Sequence, residues 1–245
     1  MKHVLTNYPR LLNSLGEIPT VHNPGNEGQQ QRQKNPSMMT AEQLVDSLIS
    51  EIGSPFRIRI GGFPACGKTT LSNLFKDRIP YIRHIEAEAW ILPLEQRKTL
   101  DLSGAHPDGY ERDRSIREIA FFLRGGPLAL TTYDHKIGDH VPGSVLTAEP
   151  DVPVVLDGTL FSLQDYDGIV PACIFLKPRR LGEWLQASIR RDVDTRFFSE
   201  AEATRHNMRK ARDLQKVLDQ SPQARVVTCN ISADHYSYEF DHART

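Results

Sequence analysis

Polar and apolar residues alternate over residues 57–60 (Arg57-Ile58-Arg59-Ile60), the period of two that marks a strand. Further strand-like runs lie at residues 82–87, 128–132, 152–156, 172–176 and 225–229. Between them the apolar spacing changes to three and four, which predicts helices over residues 68–76, 112–123, 181–192 and 200–218. Ahead of the first strand, Thr40-Ala41-Glu42-Gln43 has the form of a capping box. It opens a helix through Leu44, Val45, Leu48 and Ile49, which Gly53 and Pro55 end. Strands alternating with helices predict an α/β fold: a mostly parallel sheet with helices on both faces, binding its ligand at the carboxyl ends of the strands.

Residues 20–38 break this pattern. They are rich in Asn, Gln, Gly and Pro and include Gln29-Gln30-Gln31, a composition too polar to build a core. The expected division is a flexible segment over 1–38 and one domain over 39–245. A short helix around residues 8–15 stays open. The connection from Trp90 to Glu111 is long for a compact domain, and loops of that length are usually functional or mobile.

Composition narrows the setting. The 245 residues are 39% hydrophobic and 25% charged, within the globular range. A formal net charge of −1 supplies no bulk field for nucleic acid or an anionic membrane. No apolar run reaches the roughly 18 residues of a membrane span, and no apolar run follows Lys2 as a secretory signal requires. Cys66, Cys173 and Cys229 are odd in number and far apart, the pattern of reduced thiols in a cytoplasmic protein.

The chemistry begins at Gly62-Phe63-Pro64-Ala65-Cys66-Gly67-Lys68-Thr69, a full G-x-x-x-x-G-K-[ST] match followed by Thr70. The glycines permit a tight loop whose N–H groups turn toward phosphate oxygens. Lys68 is placed to reach the β- and γ-phosphates, Thr69 to bind Mg²⁺, and the following helix adds its N-terminal dipole. Strand, glycine loop and helix in that order are the setting the motif requires. Cys66 reads as a small residue that fits the loop, with a thiol of lowered pKa as the other option.

Other polar groups stand at predicted strand ends. Asp157 closes an apolar run and is the second candidate for Mg²⁺. Glu86 and Glu88 share a face if their strand continues, and Glu88 is the better candidate to orient or deprotonate an attacking hydroxyl. Arg190, Arg191 and Arg196 crowd one helix end, where they suit charge on a moving phosphoryl group, with Asp192 as an orienting partner. Two loops supply acceptor candidates: His106, Asp108 and Tyr110 in one, Tyr133, His135 and His140 in the other. None of these has the spacing of a transition-metal site.

In order, these pieces resemble the uridine kinase and phosphoribulokinase family of P-loop kinases, over about residues 56–236. The selective marks are His106-Pro107-Asp108, Tyr133-Asp134, the run Val155-Leu156-Asp157-Gly158-Thr159-Leu160, and Arg190-Arg191-Asp192 with Arg196. The resemblance implies a P-loop fold with an arginine-rich lid, and transfer of the γ-phosphate of ATP, with Mg²⁺, to a hydroxyl of a small metabolite. Several positions depart from the family pattern. Glu88 stands for an Asp and Asp157 for a Glu; Ala105 and Gly138 replace groups linked to ribose and base; Phe197 replaces a Gly. The donor half matches and the acceptor half does not, so a sugar, polyol or other hydroxylated metabolite is expected at least as much as a nucleoside. The partner expected is that small molecule, not nucleic acid or membrane, with a homodimer left open. A regulatory NTPase with slow hydrolysis is the alternative; it would hydrolyse at one rate whatever acceptor is added. The run from Asn230 to Tyr236 is a candidate neighbour of the donor base by position alone.

Overall fold

A computed structural model describes residues 38–147, 149–231 and 236–241, without the side chains of Thr195 and Arg196. The segment expected to be flexible thus lies outside the described residues, apart from Met38.

The first helix, α1 (Ala41–Ile52), opens on the capping box: Thr40 Oγ1 accepts from the Gln43 N–H, and Gln43 Oε1 accepts from the Thr40 N–H at 2.9 Å. The chain then forms β1 (Arg57–Gly62), α2 (Lys68–Arg78), β2 (Arg83–Glu86) and a 3-10 turn (Ala87–Trp90). Next come α3 (Leu94–Thr99), a 3-10 turn (Pro107–Gly109), α4 (Arg112–Phe122), and the strands β3 (Leu128–Asp134), β4 (Asp139–Leu146) and β5 (Val154–Asp157). The rest is β6 (Cys173–Pro178), α5 (Leu181–Arg196), α6 (Glu200–Asp219), β7 (Arg225–Ile231) and β8 (Tyr236–Phe240).

Six strands form one sheet in the order β2-β5-β1-β6-β7-β8, parallel except for β8. Consecutive residues of β1 and β5 are buried, so both faces of the sheet center are covered. The core joins Leu44, Leu48, Ile58, Leu71, Phe75, Leu156 and Phe175, all within 1% of full burial. Arg59 is buried among them because both terminal guanidinium nitrogens find acceptors. It donates to the carbonyls of Phe161 at 3.0 Å, Leu163 at 2.9 Å and Pro171 at 3.3 Å, and to the Asp167 carboxylate. That pins the segment after β5 beside the carboxyl end of β1.

Two expectations change. The run at 128–132 is a strand, but it pairs only with β4, in a separate antiparallel hairpin. The long connection after Trp90 is also built: it holds α3 and is tied back by Leu92 N–H to Gly109 O and Glu111 N–H to Trp90 O, each 2.8 Å.

Candidate functional site

The loop 62–69 leaves the carboxyl end of β1 and enters α2. Two glycines fix its path. Gly62 has φ 124°, and a Cβ there would lie 2.1 Å from the Leu176 carbonyl oxygen. Gly67 caps α2 at φ 85°, and a Cβ there would lie 2.1 Å from Tyr238 Oη. Trp184 Nε1 donates to the Pro64 carbonyl at 2.7 Å, and its ring meets Phe63 edge-on, holding the loop to α5. Among the described α-helices only α2 lacks an acidic residue in its first turn, and no side chain caps it. Its N-terminal N–H groups are therefore left to an anion.

Lys68 Nζ donates to the carbonyls of Gly62 at 3.1 Å and Phe63 at 2.9 Å. Burial holds this ammonium below the usual lysine range; the charges of Asp157 and Glu88 oppose that, and Arg191 adds to it. These groups are thus within electrostatic reach of Lys68. Cys66 is fully buried, and a hydrogen bond with the Cys229 thiol together with burial pushes its own thiol up. The option of a lowered pKa from the loop's field is overturned, because burial and a second thiol outweigh Lys68.

Asp157 closes β5, in register with Ile60 of β1 and Glu86 of β2. Ser72 Oγ donates to its Oδ2 at 3.0 Å, and His84 Nε2 lies 3.4 Å from the same oxygen. No described residue bonds Oδ1. The Thr69 side of α2 is exposed. One hydroxyl and one carboxylate suit Mg²⁺, which keeps waters and takes phosphate oxygens. Among the described residues, no three His, Cys, Asp or Glu gather as a metal cluster.

β2 stops at Glu86, and the chain tightens into a 3-10 turn, so the condition for Glu86 and Glu88 to share a strand face is not met. Both acids nonetheless line one cleft of about 150 Å³, with His84, Thr131, Tyr133 and Ser144. The β3–β4 hairpin forms its far wall. Glu88 Oε2 lies 3.4 Å from His135 Nε2. Arg97 donates to Tyr133 Oη at 2.7 Å. His140 is not among the lining residues: its Nε2 lies 2.6 Å from the Ile91 carbonyl and its Nδ1 2.9 Å from Thr131 Oγ1. A carbonyl only accepts, so Nε2 is the donor.

The other acceptor candidates divide. Tyr110 is buried, donates to the Gly104 carbonyl at 2.7 Å, and has its pKa raised by burial and by the Glu88 charge. It is within reach of Glu88. His106 Nδ1 accepts the Asp108 N–H at 3.2 Å, a local cap, while Asp108 is exposed 3.9 Å from Arg112; neither lines the cleft.

In the lid, α5 packs on α6. Arg190 is exposed. Arg191 Nε and Nη2 donate to Asp192 Oδ1 at 3.2 and 3.0 Å, and Asn207 Nδ2 donates to Asp192 Oδ2 at 2.9 Å. The Arg196 side chain and residues 232–235 of the Asn230-to-Tyr236 run lie outside the described residues.

No family model matches the chain. Over 117 residues it is 31% identical to a pantothenate kinase of Streptomyces avermitilis, covering 43% of this chain and 35% of that enzyme. The match thus spans about a third of the length of the curated relatives. Phosphoribulokinase from Rhodobacter spheroides superposes with a TM-score of 0.53 at 18% identity, over 73% of this chain and 71% of that one. A D-glycerate 3-kinase from Cryptococcus neoformans gives 0.56 at 8% identity, over 82% and 99%. The chain has the fold of the P-loop kinases.

Within that P-loop kinase fold, three contributing residues were not singled out from sequence. Ser72 follows Thr69 by three, the spacing that shares a helix face. His84 precedes Glu86 by two, which shares a strand face. Arg97 gave no such signal, because its role depends on a hairpin the periodicity did not mark. No described helix is long and apolar enough to cross a membrane.

Proposed function

We propose that this chain is an ATP-dependent kinase that moves the γ-phosphoryl group to a hydroxyl of a small metabolite. The observation that carries this reading is the convergence of Lys68, Asp157 and Glu88 at one end of the sheet. A nucleotide hydrolase needs the first two. A kinase also needs a carboxylate facing an acceptor cleft, and Glu88 lines one. The likeness to pantothenate kinases and to sugar-acid and sugar-phosphate kinase folds supports it.

The N–H groups of loop 62–69 and of the α2 N-terminus take the phosphates, and Lys68 moves from its loop carbonyls to the β- and γ-oxygens. Thr69 and Asp157 would hold Mg²⁺, which when bound would neutralise phosphate charge. Ser72 and His84 fix the Asp157 carboxylate by Oδ2. The acceptor lies between Glu86 and Tyr133, and Glu88 takes its hydroxyl proton. The acceptor oxygen bonds to the γ-phosphorus as the bond to the β–γ bridging oxygen breaks, and that electron pair leaves on ADP. Arg190 and Arg191, with Arg196 by position, stabilise the charge in transfer. The cleft's small volume suits a small hydroxylated molecule.

The test is ADP release by purified protein with ATP and Mg²⁺ across nucleosides, sugars, polyols and hydroxy acids. Strong stimulation by one acceptor class, lost in Lys68→Ala with the thermal transition preserved, is the expected outcome. Slow release that no acceptor changes would overturn it in favour of a nucleotide switch.

A further inference from the structure

Charge is divided sharply across the proposed site. The cations Lys68, Arg190 and Arg191 belong to the phosphate loop and the lid. The cleft beyond them is lined by two carboxylates, Glu86 and Glu88, and by no lysine or arginine. The Glu86 and Glu88 side chains are 63% and 49% exposed, so both carboxyl groups face the water of the cleft.

The imidazoles nearby do not reverse this sign. His84 lies between Asp157 Oδ2 at 3.4 Å and Glu86 Oε1 at 3.9 Å, so it is shared by two acids. His135 stands 3.4 Å from Glu88 Oε2. Arg97 is buried and spent on holding the wall: it donates to Tyr133 Oη at 2.7 Å and to the Leu92 carbonyl at 2.9 Å. The remaining lining groups named, Thr131, Tyr133 and Ser144, are hydroxyls.

From this, and resting on the kinase reading, we propose that the acceptor carries no negative charge and presents hydroxyl or ammonium donors to Glu86 and Glu88. A carboxylate or phosphate on the acceptor would enter a cleft that offers it two like charges and no fixed cation. A hydroxyl-rich or amino-alcohol acceptor meets acceptor oxygens on one wall and hydroxyls on the other. Glu86 then acts as a specificity group, distinct from Glu88, which takes the proton.

The experiment compares kcat/KM within pairs that share a carbon skeleton: glycerol against glycerate, pantothenol against pantothenate, ribose against ribose 5-phosphate, and ethanolamine against glycolate. Radiolabelled ATP follows the transferred phosphoryl group directly. The neutral or amine member should be favoured by at least about tenfold, a difference of about 1.4 kcal/mol. Glu86→Gln should narrow that gap, and Glu86→Lys should shift preference toward the anionic member while the KM for ATP stays constant. Preference for the anionic member in the native protein overturns this inference and leaves the kinase standing. Label found in no acceptor of either charge overturns both.

Discussion

His140 Nε2 donates to the Ile91 carbonyl at 2.6 Å, joining the β3–β4 hairpin to the chain that leaves the Glu88 turn. Thr131 lies against the same imidazole and donates to the Ala89 carbonyl at 2.9 Å, so the two walls of the cleft are stitched at two points. His140→Ala should therefore raise the acceptor KM several-fold while the KM for ATP holds, and lower stability by about 1–2 kcal/mol. His140→Gln, which keeps a donor, should recover part of the loss. Two-substrate kinetics and thermal unfolding check this; an equal rise in both KM values would mean general loosening.

Gly67 and Tyr238 are expected to show strong coupling. Tyr238 Oη is buried with no partner among the described residues, and it occupies the space a Gly67 side chain would need. Tyr238→Phe should cost under about 1 kcal/mol, since no hydrogen bond is lost. Gly67→Ala should be severe alone and milder on the Tyr238→Phe background, keeping about 1 kcal/mol from its positive φ. Denaturant melts of the four proteins close the cycle; strict additivity would rule out the contact.

Lys68 gives a pH signature. Its pKa lies below the ordinary 10.5, chiefly through burial. Bound triphosphate supplies negative charge and returns the pKa upward, so nucleotide binding should take up protons in the alkaline window below 10.5. In that same window the unfolded chain holds the proton that the folded chain has lost, so this group makes stability rise with pH there. Calorimetry in buffers of differing ionisation enthalpy measures the uptake, and Lys68→Met should abolish it.

Asp192 is fully buried between Arg191 and Asn207 and so joins the two lid helices. Asp192→Ala should cost on the order of 2–3 kcal/mol, because it removes an acceptor of buried Asn207, and should lower kcat by loosening the hold on Arg191. Arg191→Ala should lower kcat with a much smaller change in Tm. Similar Tm losses in both would place the arginine's role in folding.

Most of the central sheet was legible because burial on both faces leaves short apolar runs, with β1 read from its alternation, and the loop was legible because Gly62 and Gly67 are each required by one local geometry. Asp157 was legible for the same reason, closing such a run. The hairpin was not. β4 is mostly exposed and carries Pro142 and Gly143 where its pairing with β3 shifts register, so it has no alternation to read. β8 buries only Tyr238 fully among its five residues, too little for a pattern. The Glu88 turn stayed open for a related cause: a run of four residues looks alike as strand or 3-10 turn until its hydrogen bonds are known. What escaped were Ser72, His84 and Arg97, whose parts rest on side-chain contacts with Asp157 and Tyr133 across segments distant in sequence.

That hairpin shares no strand with the six-stranded sheet. Insertions, deletions or replacements within it break no ladder bond beneath the phosphate loop. On the proposed kinase reading, a lineage carrying this fold is free to change its acceptor while inheriting the phosphate loop intact, and divergence should collect in residues 128–146 before it touches residues 62–69.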